Sequence, residues 1–308
     1  VSKILFIPHG FIGDRLLTTS AMAVTKRYNP DAELYLYLTP DFWYMDEVLM
    51  STGVVSGIIK DKEQINSGWD NVLQMPHCEF STNPVRVYCE SFIDGLPINA
   101  DLIPAFVDTS KLRVRQEEAI PTTPYITYQV DWQNRTSLNV AKVIDALVRR
   151  GIKCKAVGKT GHQSNLAAVN SDEFLRQDEE RRLTFNETMK LIAGAELHLC
   201  MNGGTAMFAG YVNTRCAMTT DWFYIRHNPH NLDSYAFLNW MKQTPRDMSG
   251  NPIHHMFHPL VTEDDVIKET LKLLEGVRGT RELPPNLIKH PDLIQYFASN
   301  SSIPPFAD

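Results

Sequence analysis

The chain has 308 residues, 43% apolar and 21% charged, with 30 basic against 36 acidic side chains and a formal net charge of -6. At about 150 residues per domain this gives room for two domains, each with its own core, and it excludes a single small module, wholesale disorder and a collagen-like repeat. The negative total offers no overall attraction to phosphate backbones or anionic lipid. No apolar run approaches the roughly 18 residues of a membrane span, and the opening residues lack a signal peptide's apolar core, so a cytoplasmic protein is expected.

Lys3 to Pro8 (KILFIP) is almost wholly apolar, the pattern of a parallel strand buried on both faces. The loop HGFIGD follows. From Arg15 to Tyr28, Leu16, Leu17, Ala21 and Val24 recur at helical spacing until Asn29-Pro30 stops the pattern. Glu33 to Thr39 predicts a second strand, which completes a βαβ unit. Val54 to Ile59 and Asn71 to Gln74 read as further short strands, and Phe92 to Leu96 as a less regular stretch. IPTTP, residues 120 to 124, has the composition of a linker and marks a domain boundary.

Beyond it Tyr125 to Val130 predicts a strand. Ser137 caps a helix carrying Leu138, Ala141, Ile144, Leu147 and Val148, and Gly151 ends it before a strand over Ile152 to Val157. Thr184 caps a helix through Ala195, with Glu187 completing a capping box. Glu196 to Met201 is the next strand, followed by Asn202-Gly203-Gly204-Thr205, a helix to Val212 and a strand over Cys216 to Thr219. Asp221 to Pro259, rich in aromatic residues, His and Pro, is expected to form long loops around a cleft. Asp264 to Glu275 is an amphipathic helix and Pro291 to Ala298 a helix in the tail. Two such α/β halves predict two doubly wound domains, residues 1–120 and 121–276, with a tail over 277–308 and ligands at the carboxyl ends of the strands.

Five cysteines (Cys78, Cys89, Cys154, Cys200 and Cys216) are widely spaced and form no CxxC pair, so reduced and partly buried thiols are expected. His227, His230, His254, His255 and His258 match no familiar zinc spacing, and neither a metal nor a cofactor is expected. Trp222, Tyr224 and Trp240 are candidates for stacking on a sugar or base, against the commoner core role.

Two sites carry chemistry. Gly10-Phe11-Ile12-Gly13-Asp14 lies between a buried strand and a helix, where glycines admit a ligand and helix-start amides point outward. It is neither GxGxxG nor a P-loop, which disfavours a nicotinamide enzyme or a kinase. Asp14 reads as a helix-start carboxylate or as a general base facing the cleft. Asn202-Gly203-Gly204-Thr205 also precedes a helix, and its amides with the Thr205 hydroxyl suit a diphosphate.

The stretch GDRLLTTSAMAVTKRYNPDAELYLYLTP, together with LTFNETMKLIAGAELHLCMNGGTAMFAGYVNTRCAMTT, resembles the heptosyltransferase-like glycosyltransferases of family 9 in the order and spacing of its motifs. The resemblance implies a GT-B fold of two facing Rossmann-like domains with a cleft between them. It implies an acceptor domain first and a nucleotide-sugar donor domain second; the tail over 277–308 is expected to pack back on the first. Asp14 then corresponds to the base of an inverting, metal-independent transfer, and Asn202 to Met207 to the loop that holds the donor diphosphate. Gly13 and Arg135 join Asn202, Gly203, Gly204 and Thr205 as donor-binding residues.

The family's Asp-Ser-Gly is replaced by Asn202-Gly203-Gly204 and its loop histidine by Met207, so donor identity, heptose included, does not carry over. The acceptor stays open between a glycan, a protein and a modified nucleic-acid base. The competing reading is a non-catalytic nucleotide-sugar or glycan-binding protein of the same fold. A nucleotide-sugar epimerase or dehydrogenase is disfavoured by the missing GxGxxG and YxxxK.

Overall fold

The computed structural model describes residues 1–9, 12–74, 105–115, 121, 123–129, 138–157, 183–201, 204–212, 214–219, 254–256 and 261–275. The first sheet contains β1 (Lys3–Ile7), β2 (Glu33–Tyr37), β3 (Gly57–Ile59) and β4 (Asn71–Gln74), ordered β3-β2-β1-β4. The second contains β5 (Ile126–Gln129), β6 (Cys154–Val157), β7 (Leu197–Met201), β8 (Cys216–Thr219) and β9 (His254–Met256), ordered β6-β5-β7-β8-β9. Every pairing is parallel. The helices are α1 (Ile12–Tyr28), α2 (Asp46–Ser51), α3 (Val140–Val148), α4 (Phe185–Ala193), α5 (Gly204–Tyr211) and α6 (Glu263–Leu274).

Both orders reverse direction once. From β1 the first sheet grows toward β2 on one side and β4 on the other, and from β5 the second grows toward β6 on one side and β7 on the other. Such a switch point leaves a crevice outside the strands' carboxyl ends, where α/β sheets bind ligands. In the first lobe α1 starts beside that crevice. In the second, Gln129 at the end of β5 and the start of α5 flank it.

Local chemistry explains most element ends. Thr184 accepts from Glu187 N while the Glu187 carboxylate accepts from Thr184 N at 2.6 Å, the expected capping box. Thr262 and Asp265 form a second one, so α6 begins at Glu263. Gly151, at φ 79°, closes α3 in the left-handed region, and Ile152 N reaches back to Leu147 O at 3.2 Å. The cap of α3 is Asn139, whose side chain accepts from Lys142 N at 3.0 Å. Ser137, predicted for that role, lies outside the described residues.

Two expectations need correction. Residues 254–256, read as part of a loop region, form β9 on the edge of the second sheet, paired with β8. The two lobes also do not keep wholly separate cores. Ile4, Phe6, Leu16 and Met22 of the first belong to one buried cluster with Met189, Ile192, Phe208 and Met218 of the second. The cause is α1, whose residues from Arg15 to Thr25 are all buried. A helix covered on every side has a second apolar neighbour besides its own sheet, and here that neighbour is α5. The threonine hydroxyls on this buried helix are satisfied at short range: Thr18 donates to Asp14 O at 2.8 Å, Thr19 to Leu16 O at 2.7 Å and Thr25 to Ala21 O at 2.9 Å. A separate cluster with Tyr128, Ile144, Leu147, Leu199 and Val266 fills the far face of the second sheet.

Candidate functional site

Helix α1 begins at Ile12, three residues before the predicted start, so Gly13 and Asp14 belong to its first turn rather than to a loop. Asp14 is half-buried there, where the helix dipole favours a negative charge. The next residue, Arg15, is buried, and its guanidinium lies over the Phe42 ring, 3.3 Å from the centroid. Phe42 belongs to a 3-10 turn, Pro40–Met45, that leaves the carboxyl end of β2. Burial raises the phenol of Tyr44 in the same turn, while the Arg15 charge lowers it and Asp41 raises it, so Tyr44 senses both charges.

Helix α5 begins at Gly204, and its first turn carries no acidic residue. Its first amides have no carbonyl partner within the helix. Thr205 donates its hydroxyl hydrogen to Gln129 Oε1 at 2.8 Å, across the second switch point. The expected donation from that hydroxyl to a phosphate therefore competes with an internal bond, and the backbone amides are the donors that remain. Beneath lies a polar row on one face of the sheet. His198 Nδ1 meets Thr127 Oγ1 at 3.0 Å, its Nε2 has no hydrogen-bond partner among the described residues, and Cys200 Sγ lies 3.3 Å from Cys216 Sγ. Burial alone would raise the Cys200 thiol, but the neighbouring Cys216 thiol, with the His198 ring close by, lowers it; burial pushes Cys216 up. Cys200 and Cys216 are buried free thiols and Cys154 is half-buried.

The two helix starts meet. A Cβ built on Gly13 would lie 2.8 Å from Met207 Sδ, so the absence of a side chain at Gly13 lets the first turns of α1 and α5 touch. Seven residues on, Ser20 hydrogen-bonds the hydroxyl of Tyr211 at the other end of α5. Both contacts advance in the same chain direction, so the helices lie head beside head and their N-termini open toward the same end.

A polar clamp holds this arrangement. Glu47 of α2 accepts from the Arg113 side chain and backbone and from Asn186 Nδ2 of α4. Arg115 N donates to Glu187 Oε1 at 2.8 Å and its guanidinium to Oε2 at 3.1 Å. Burial would raise the Glu187 carboxyl, but the bonds from Arg115 and Thr184 outweigh it and hold the group down at about 2.

Of the residues expected to form the site, Gly13, Asp14, Gly204 and Thr205 fall on these two neighbouring helix starts. Gly10, Arg135, Asn202 and Gly203 lie outside the described residues, as do Trp222, Tyr224, Trp240, His227, His230 and His258. Among the described residues, no group of three or more His, Cys, Asp or Glu is arranged to hold a metal ion, and no helix is long and apolar enough to cross a membrane. Gln129 and Arg15 were not among the expected site residues. Gln129 had a signal, a polar residue closing the buried strand ITYQ at its carboxyl end. Arg15, a basic residue in the first turn of a helix, runs against the dipole and had one too.

No protein-family model matches the sequence, and no curated protein matches it. Solved structures do. The chain is similar to the E. coli ADP-heptose LPS heptosyltransferase II, with a TM-score of 0.61 and 13% identity over 90% of this chain and 100% of that one. It is similar to the E. coli heptosyltransferase WaaC with ADP at TM-score 0.55 and 9% identity, covering 88% of this chain and 99% of that one. The same enzyme with ADP-2-deoxy-2-fluoro heptose gives TM-score 0.51 and 12% identity over 70% and 88%. The chain therefore has the two-lobed GT-B fold of the family 9 heptosyltransferases over most of its length.

Proposed function

We propose that this protein is a glycosyltransferase that moves a sugar from a nucleotide-diphosphate donor to an acceptor hydroxyl with inversion. The observation that carries the reading is the contact of Gly13 with Met207, which sets the start of α1, bearing a carboxylate, beside the start of α5, bearing only amides and a hydroxyl.

In this reading the Asp14 carboxylate takes the proton of the acceptor hydroxyl. The acceptor oxygen bonds to the anomeric carbon from one face as the bond to the donor's diphosphate breaks on the other, and that electron pair leaves with the diphosphate. Amides of Gly203, Gly204 and Thr205, with Arg135, stabilise the growing negative charge. Asn202 and Gly13 join them in binding the donor. Gln129 holds the Thr205 hydroxyl and so orients the first turn of α5.

The test is a panel of ADP-, UDP-, GDP- and CDP-linked sugars, read first by thermal shift and then by release of free nucleotide diphosphate. An ADP-sugar is the first arm because one structural neighbour was solved with such a compound. Turnover with at least one donor, and a product whose anomeric configuration is opposite to the donor's by NMR, supports the reading. Saturable binding without turnover supports the non-catalytic binder, and a retained configuration removes single displacement.

A further inference from the structure

The 3-10 turn Pro40–Met45 carries three consecutive aromatic residues, Phe42, Trp43 and Tyr44, and has no part in the steps above. Trp43 is 44% exposed and Tyr44 48% exposed, yet both are fixed. The Trp43 indole N–H donates to Leu38 O at 3.0 Å, so the ring needs no polar partner from outside although it stays exposed. Phe42 beneath them rests on the Arg15 guanidinium, one residue from Asp14. Tyr44 packs edge-on against Phe185 of α4, with centroids 5.5 Å apart, and Phe185 packs edge-on against Phe208 of α5 at 5.1 Å. The exposed rings are thus anchored on one side to the helix that bears Asp14 and on the other to the helix that starts at Gly204.

We propose that Trp43 and Tyr44 form a stacking platform that seats a neutral pyranose ring of the acceptor beside Asp14. The C–H face of a sugar ring is weakly positive and meets the negative face of an indole, while its hydroxyls stay at the rim in water. Charge around the turn selects a neutral ligand. Asp41 and Asp46 flank the rings; of the cations beside them, Arg15 is buried against the Phe42 ring, and Lys60, 5.8 Å from the Trp43 centroid, is held by Asp46 at 2.5 Å. A phosphate-bearing strand would meet two carboxylates and no uncommitted lysine there, which sets a saccharide ahead of a nucleic acid although bases also stack on aromatic rings. The platform deepens the transferase reading, on which it rests for the placement of the reacting hydroxyl, but the stacking itself needs no turnover.

The experiment uses the full chain on an array of neutral oligosaccharides printed beside phosphorylated saccharides and single-stranded oligonucleotides. Neutral saccharides on the array are expected to bind, and saturation-transfer NMR on the best of them is expected to show contacts through ring C–H protons. Trp43→Ala should weaken that saccharide about tenfold, equivalent to about 1.4 kcal/mol, while the thermal shift given by a nucleotide diphosphate stays as in the wild type. Trp43→Phe, which keeps a ring, should recover most of the binding, and this separates stacking from a general loss of structure. Unchanged saccharide affinity in Trp43→Ala, capture of oligonucleotides alone, or no bound saccharide at all overturns the platform. If saccharides bind through Trp43 while no nucleotide sugar is bound or turned over, the platform stands and the transferase reading falls.

Discussion

The two switch points are built from the same unit, a parallel strand followed by a helix start, and they differ in what that start carries. At α1 the first turn holds Asp14 and a buried arginine, Arg15; at α5 it holds Gly204, Thr205, Ala206 and Met207 with no charged group. A helix start attracts anions through its unpartnered amides, and a carboxylate in the first turn opposes a second anion there. In the proposed reading the same backbone geometry serves proton transfer in one lobe and diphosphate binding in the other, and it is the side chains that differ between them.

The sharpest way to break this comparison is to neutralise one side of it. Asp14→Asn keeps the shape of the first turn and removes the proposed base, so transfer should fall by about 10²- to 10⁴-fold with an unchanged circular dichroism spectrum. Transfer at the wild-type rate would leave α1 no more catalytic than α5.

The clamp between the lobes makes the next largest difference, and it is read by pH. The Glu187 carboxyl is held at about 2 against an ordinary 4.5, so its bonds to Arg115 and Thr184 stabilise the folded chain fully above pH 4.5. That contribution disappears as pH falls toward 2. In urea titrations Glu187→Gln should cost at most about 3 kcal/mol at neutral pH and flatten the loss of stability across that acid window. An unchanged acid profile would mean that Arg115 does not hold the ionised carboxylate.

A control away from both switch points is Gly194→Ala. Tyr125 donates to Leu191 O at 2.7 Å, and a Cβ at Gly194 would lie 2.5 Å from the Tyr125 oxygen. The variant should lose about 2 kcal/mol in denaturant unfolding while the activity per folded molecule stays constant. The smallest effect is expected at Thr205→Val, which removes the bond to Gln129. Donor KM should rise about fivefold, one net hydrogen bond's worth, and a larger fall in kcat than rise in KM would place the hydroxyl on the leaving group instead.

What was legible in the sequence follows the range of the forces involved. The capping box of Thr184 and Glu187 is complete within four residues, and the strand Cys216–Thr219 is bounded as predicted. Gly151 ends α3 because a left-handed backbone there suits glycine. The start of α1 was missed because Ile12 and Gly13 read as loop when only the apolar spacing from Arg15 is counted. Strand β9 was missed because three residues, His254 to Met256, show no period of their own and become a strand through pairing with β8.

Asp14 and the Gly204-Thr205 turn were named from residue type and position after a strand. Arg15 on Phe42, Thr205 on Gln129 and the aromatic turn beside them join residues far apart in the chain, and no window of sequence contains both partners.

By itself, then, the sequence determined alternating strands and helices, the caps at Thr184 and Gly151 and two strand-to-helix junctions suited to anions or proton transfer, because these depend on neighbours a few residues away. Only the tertiary structure decided that the two starts lie side by side. That outcome depends on Met207 filling the space a side chain at Gly13 would occupy, and on Ser20 meeting Tyr211 across 191 residues. Such contacts are settled by how two apolar surfaces pack, which local preference does not encode.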